Sequence, residues 1–266
     1  MLRLSEERLL TDFSKAIANQ EFILYYQPEY NIGISKFDGV EVLIRWKHPQ
    51  QGMLLPHQFI PLAEKSGFIV DLGNWILKTA CQQMKIWQNK GLHSLRVAIN
   101  VSSEQFKQRN FIAYIKNTLH ELNLHPSFLE LELNENMIIH DHDEAVIHKI
   151  ETLNQLGVQI ALDDFGTGFA SISYLKRIPL NRIKIDKTFI ENISTNKRDA
   201  AIVQAIIMLA VSLELRVLAE GVETFHQFQK LLAHACHEVQ GFYFSKPLQA
   251  MEVENFLLHY QTRNFF

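Results

Sequence analysis

Short apolar or alternating runs recur along the chain, separated by stretches with a helical rhythm. The runs at Phe22–Tyr26, Val40–Trp46, Arg96–Val101, Phe128–Leu133, Val158–Leu162, Arg182–Asp186, Leu215–Ala219 and Glu238–Tyr243 fit strands. Apolar residues three or four apart predict helices between them. Residues 2–19 carry Leu10, Phe13 and Ile17 in step, and Phe111–Leu122 carries Ile112, Ile115, Leu119 and Leu122. Further helices are expected up to Asn89, over Asp143–Leu156 ending at Gly157, over Phe169–Arg177, over Asp199–Leu213 with Ile202, Ile206, Leu209 and Leu213 in step, over Thr224–His234 and over Met251–Tyr260. Asn31–Gly39 reads as a polar turn. Eight strands alternating with helices over 266 residues predict an α/β chain folded as one TIM-type (β/α)8 barrel. The expected division is a lead-in helix over residues 1–19 and a single barrel domain over 20–266.

Neighbouring residues of a strand face opposite sides, so each run can be sorted into two faces. One face carries Glu41, Leu43 and Arg45; Arg96, Ala98 and Asn100; Glu130, Glu132 and Asn134; Asp163; and Arg182, Lys184 and Asp186. The other face is apolar, as in Val42, Ile44 and Trp46 or Leu129, Leu131 and Leu133. In a barrel the apolar face meets the helices and the polar face lines the interior. The carboxyl ends of the strands then collect Glu41, Asn100, Glu132, Asp163, Asp164 and Glu220. This set offers oxygen donors without thiolate, which suits Mg²⁺ or Mn²⁺. Asp163 and Asp164 stand where an apolar strand gives way to a glycine-flanked turn, and adjacent acids are expected to point in different directions. Arg96 and Glu130 share the polar parity but lie deeper, and read as a structural ion pair.

Composition narrows the classes. Hydrophobic residues make up 47%, enough for a large core, and the net charge of -3 gives no basic footprint for duplex nucleic acid. Cys81 and Cys236 lack metal-ligand spacing and give no disulfide framework, which fits a reducing compartment. No apolar run reaches bilayer length. The cytoplasm is the expected location, with tethering to a membrane sensor outside this segment left open. His48, His57 and the group His140, His142 and His148 do not match a zinc motif and are expected on the solvated surface. Glu223 and Thr224 are expected to cap the helix that follows them.

Nine blocks in order resemble one known family. They are Tyr26-Gln27-Pro28, the run Glu41 to Trp46, Phe59 to Glu64, Asn100-Val101-Ser102, Glu130 to Glu135, Asp163 to Gly168, Ile183 to Asp186, Ala219 to Thr224, and Val239 to Phe242. Together they resemble the EAL domain, a bacterial phosphodiesterase that opens cyclic di-GMP to linear pGpG, over residues 20–250. The resemblance implies a modified TIM barrel whose first strand runs antiparallel to its neighbours. It implies two Mg²⁺ or Mn²⁺ ions held by Glu41, Asn100, Glu132, Asp163 and Asp164, with Glu220 contributing. Lys184 matches the catalytic lysine, Glu41 and Glu220 act beside it, and Glu135 matches the acid that anchors the loop after Asp164. Gln27, Leu43, Arg45, Asp186 and Gln240 match positions lining cyclic di-GMP. The resemblance also implies a homodimer, and an upstream sensor or GGDEF domain as a frequent neighbour. Two departures stand out: Val42 replaces Ala in the name motif, and Asn134 and Asn136 replace the usual Thr and Ser around Glu135.

The implied chemistry is hydrolysis of one phosphodiester bond. The alternative is an EAL-like receptor that binds cyclic di-GMP with little or no turnover. Such receptors commonly lose a ligand acid or the lysine, and this chain keeps them.

Overall fold

The structure is a computed structural model that describes residues 9–13, 15–135, 137, 144–166 and 175–261. Strands β1 (Phe22–Asn31), β2 (Lys36–His48), β4 (Arg96–Val101), β5 (Leu129–Asn134), β6 (Gln159–Phe165), β7 (Arg182–Ile185), β8 (Arg216–Ala219) and β9 (Glu238–Val239) close into one barrel. The neighbours from β2 through β4, β5, β6, β7, β8 and β9 are parallel. Strand β1 closes the ring antiparallel to both β2 and β9. The expected eight-stranded barrel with one reversed strand is therefore the fold. Two short strands, β3 (Gly52–Leu54) on β2 and β10 (Leu248–Gln249) on β1, extend the sheet outside the ring.

Alternation along the strands decides what lies on each side. Val42, Ile44 and Trp46, Val97, Ile99 and Val101, and Leu129, Leu131 and Leu133 are all buried on the outer face. They meet Leu72, Leu77 and Met84 of α2 (Ile69–Asn89), Ile115 and Leu119 of α4 (Phe111–Glu121), and Ile150 and Leu153 of α5 (Glu144–Gln155) in one core. Each such side chain contributes roughly 1.5–3 kcal/mol when fully buried. The remaining helices are α1 (Pro56–Ser66), α3 (Ser103–Lys107), α6 (Lys187–Ile190), α7 (Lys197–Ser212), α8 (Phe225–Ala233) and α9 (Ala250–Gln261).

Several expectations are corrected in detail. The turn placed over Asn31–Gly39 is only residues 32–35, because β1 runs on through Pro28 to Asn31 and pairs with β2 from Lys36. The last barrel strand stops at Val239 rather than Tyr243, and the chain then turns through Gly241. Before β1, residues 9–13 and 15–16 are helical, but the buried stripe is Leu9, Phe13 and Ala16, with Leu10 exposed. Phe13 stacks on Trp46 and Phe68 at centroid distances of 5.1 and 4.8 Å. On α7 the buried face is Ala200, Val203, Ile206, Ile207 and Ala210, while Ile202 is exposed. That helix is apolar on nearly every side, so periodicity alone does not set its rotation. His48 is buried, not solvated. Its Nε2 lies 3.1 Å from Asp12 Oδ2, and its Nδ1 accepts from the backbone N–H groups of Gln50 and Gln51. Cys81 and Cys236 are both buried and free. The helix expected over Phe169–Arg177 falls mostly outside the described residues, as do the start of residues 2–19, Thr167, Gly168, Asn136, His140 and His142. Among the described residues no helix is long and apolar enough to cross a membrane.

Candidate active site

The barrel interior holds two layers of charge. The deeper layer brings Glu29 of β1, Glu130 of β5 and Glu238 of β9 against Arg96, Arg182 and Arg216. Arg182 Nη1 lies 2.6 Å from Glu29 Oε2 and 2.7 Å from Glu238 Oε2, and its Nη2 pairs with Glu130. Arg96 Nη2 reaches Glu29 Oε2 at 2.9 Å and Arg216 Nη1 reaches Glu238 Oε1 at 2.8 Å. Gly39 makes room for this layer, because a Cβ there would come within 2.5 Å of Glu29 Oε2. The expected pairing of Arg96 with Glu130 is present at 3.5 Å as one contact of this larger network. Glu29 is hard to read from the sequence, because the proline before it signals the end of a strand, whereas β1 continues through Pro28 to Asn31.

The upper layer lies at the carboxyl ends of the parallel strands. Lys184 of β7 stands at its centre, fully buried. Its Nζ lies 2.7 Å from Glu132 Oε1, 2.7 Å from Glu220 Oε1, 3.2 Å from Asp163 Oδ1 and 3.6 Å from Glu41 Oε2. Asn100 Nδ2 donates to both Glu41 Oε1 and Glu132 Oε2 at 2.9 Å, which leaves Oδ1 as the atom Asn100 can offer a cation. Gln240 Nε2 donates to Glu41 Oε2 at 2.9 Å. Glu41 is thus fixed from two sides. Glu135 Oε2 accepts from the Gly166 N–H at 3.1 Å, holding the turn after β6. Gly166 has φ +98°, and a Cβ there would press on Phe189 at 2.8 Å.

The two adjacent aspartates do not diverge as strand parity predicts. The pairing of β6 with β7 slips between Leu162↔Ile183 and Phe165↔Ile185, so Asp163 and Asp164 together face the single residue Lys184. Asp164 takes φ +55°. This bulge turns both acids to one side, and Asp163, Asp164 and Glu220 place carboxylate oxygens within 4.8 Å of one another.

Five carboxylates share this mouth with one lysine. Burial is the main cause that holds the Glu132 carboxyl well above its ordinary range; Lys184 opposes it, while Glu41 and Asp163 add to it. Burial, then Asp163, raise Asp164 to about 6. Burial raises Glu220 to about 8, against the pull of Lys184. Burial works against the lysine's charge, yet Asp163, Glu132, Glu220 and Glu41 hold Lys184 well above its ordinary value. Glu132 Oε1 and Asp163 Oδ1 are buried and find no hydrogen-bond donor of good geometry among the described residues. Surplus negative charge on hard oxygen donors fits divalent cations of the Mg²⁺ or Mn²⁺ type.

The other expected residues surround this centre. Gln27 faces Glu41 across the β1–β2 ladder and donates to the Ser245 carbonyl at 3.1 Å. The Arg45 guanidinium lies over the Tyr25 ring, 5.5 Å from its centroid, and donates to the Ile44 carbonyl. Asp186 caps α6, accepting from Thr188 N at 3.0 Å and from the Thr188 hydroxyl. Leu43 lines a cavity of about 440 Å³ with His57, Pro61, Glu64, Asn100 and Ser102. Thr224 caps α8 through Gln227, whereas Glu223 joins that cap with its backbone N–H. Sequence reasoning missed the hydrogen bond from Asn134 Nδ2 to Asp164 Oδ2 at 2.9 Å.

Comparison with known proteins places this arrangement. The profile of the EAL domain matches residues 10–247. The signaling protein YkoW of Bacillus subtilis is 41% identical over 259 residues, which are 97% of this chain and 32% of that protein. The bifunctional diguanylate cyclase/cyclic di-GMP phosphodiesterase MucR of Pseudomonas aeruginosa is 41% identical over 246 residues, 92% of this chain and 36% of that protein. The chain thus spans about a third of the length of these relatives. The solved phosphodiesterase of PaMucR, in a c-di-GMP complex, superposes with a TM-score of 0.89 at 41% identity, covering 92% of this chain and 99% of that one. The chain belongs to the EAL domain family.

Proposed function

We propose that this chain hydrolyses cyclic di-GMP to linear pGpG with the help of two divalent cations, Mg²⁺ or Mn²⁺. The observation that carries this reading is the convergence of Glu41, Glu132, Asp163, Asp164 and Glu220 on Lys184 at one end of the barrel. The names of MucR and of the solved PaMucR complex support the choice of substrate. Glu41, Asn100, Glu132, Asp163 and Asp164 would hold the ions, with Glu220 contributing. When bound, the ions supply neutralisation of the phosphodiester charge and a more acidic water.

The chain's own residues do the rest. Lys184, kept charged by the acids around it, donates to the attacking water and orients it. Arg45, its planar fork set against Tyr25, takes a phosphate oxygen. Leu43 packs against the substrate at the edge of the cavity, and Gln27 and Asp186 line its approach. Gln240 holds Glu41 from the substrate side. Water adds across one P–O3′ bond, leaving a 5′-phosphate on one guanylate and a 3′-hydroxyl on the other. A homodimer accompanies this reading. Its support in this chain is the exposed apolar flank of α7, where Met208 is 63% and Val211 50% exposed.

The test is incubation with cyclic di-GMP and Mg²⁺ or Mn²⁺, followed by chromatography. Linear pGpG that vanishes in Glu41→Ala and Lys184→Ala supports the reading. Tight binding without turnover in either metal replaces it with a receptor.

A further inference from the structure

We propose that Asn134 is the positioning residue for Asp164, and that it sets how strongly the Asp164 end of the site takes a divalent cation. This rests on the metal-dependent reading above. In a regular strand, Asp164 would turn away from the barrel mouth, opposite to Asp163. The bulge in β6 reverses this by placing Asp164 in the left-handed backbone region, at φ +55°, which side chains other than glycine seldom adopt. Such a turn needs support from its surroundings.

Asn134 is placed to give that support. It is the last residue of β5, and its ladder partner on β6 is Asp163, the first residue of the bulge. From there its side-chain amide crosses to the second residue, donating from Nδ2 to Asp164 Oδ2 at 2.9 Å. The amide reaches the carboxylate but carries no charge, so it orients Asp164 without neutralising it. Glu135, the next residue, ties Gly166 on the far side of Phe165. Consecutive residues at the end of β5 therefore fix the two ends of the bulged segment. A Thr at position 134 would have a shorter side chain, with a hydroxyl in place of the amide.

The test follows Mn²⁺ binding by electron paramagnetic resonance of the free ion, in wild type, Asn134→Ala, Asn134→Thr and Asp164→Ala. Asp164→Ala identifies the binding step that depends on this carboxylate. Asn134→Ala is expected to weaken that same step by about 10–100-fold, the range for removing a partner that orients a metal ligand. Asn134→Thr, which suits a strand end, should fall between it and wild type. Turnover of Asn134→Ala should drop at low Mn²⁺ and recover at high Mn²⁺, with KM for cyclic di-GMP unchanged. A purely structural role would not produce recovery by metal. Mn²⁺ curves for both Asn134 variants that overlay wild type overturn the proposal, as does a loss of turnover that persists at saturating Mn²⁺. Neither result touches the phosphodiesterase reading, whose failure would show in the wild type as no turnover with either metal.

Discussion

The two charged layers inside the barrel come from the same strands, a few residues apart. Strand β5 gives Glu130 below and Glu132 above; β7 gives Arg182 below and Lys184 above; β1, running the other way, gives Glu29 below and Gln27 above. The lower acids are fully buried, while Asp163, Asp164 and Glu220 above are half-buried. The larger difference is the balance of charge. Below, three arginines answer three glutamates, and although burial pushes Glu29 and Glu238 up, Arg182 and Arg96 hold both below the ordinary carboxylate range. Above, one lysine faces five acids, and Glu132, Asp164 and Glu220 are all pushed up. The lower layer is complete in itself and holds the barrel together. The upper layer is short of positive charge, and that shortage is what marks it for ligands.

The sharpest way to break this contrast is to unbalance the lower layer. Arg182→Met leaves the buried Glu29, Glu130 and Glu238 with only Arg96 and Arg216 to answer them, and should cost about 3–5 kcal/mol, the range for stranding a buried charge. Urea unfolding measures it, and a stability within error of wild type would undo the claim that this layer is structural. The matching change above has the opposite sign for stability. Asp163→Asn should cut turnover by orders of magnitude while leaving the metal-free melting temperature equal or higher, because it removes one of the crowded charges.

The pH dependence separates the layers next. Asp164 and Glu220 hold protons up to about 6 and about 8 in the fold, against ordinary values of 3.8 and 4.5. Between those limits the folded state binds more protons than the unfolded chain, so metal-free stability falls as pH rises from about 4 to 8. Glu29 and Glu238, with lowered values, contribute stability that is lost only on acidification below the ordinary carboxylate range. Melting curves without metal at pH 5, 6.5 and 8 should show a steady decline, and Mn²⁺ should raise the melting temperature most at pH 8. A metal-free profile that rises across this window would contradict the assignment of surplus charge to the upper layer. The smallest effect is expected from Gly39→Ala, whose new Cβ crowds Glu29. It should cost roughly 1–3 kcal/mol, seen in calorimetry, with Mn²⁺ affinity unchanged.

Much of this contrast can be read before folding. Strands such as β5 and β7 alternate so strictly that Glu132, Lys184 and their outward apolar neighbours sort themselves by parity. The barrel follows from the order of the runs. Three things resisted. Pro28 hid the continuation of β1, and with it Glu29, because a proline inside a strand is tolerated only where the ladder does not need its N–H. The bulge at Asp163 and Asp164 arises from pairing with β7, a long-range contact that local periodicity does not encode. The rotation of α7 is set by what covers it, since apolar residues ring the helix. The Asn134 contact is hidden for the same reason as the bulge it supports.

The reversed first strand also decides where the polypeptide meets the barrel. Because β1 runs opposite to its neighbours, Phe22 sits beside Trp46 at the rim formed by the carboxyl ends of the parallel strands rather than at the far end. The turn of helix before it grips that rim through Phe13 on Trp46 and Asp12 on His48. Strand β2 is the common wall, bearing Trp46 and His48 at its tip and Glu41, Leu43 and Arg45 just below. A pull or twist on residues 9–13 would therefore reach β2 first, the strand that carries Glu41.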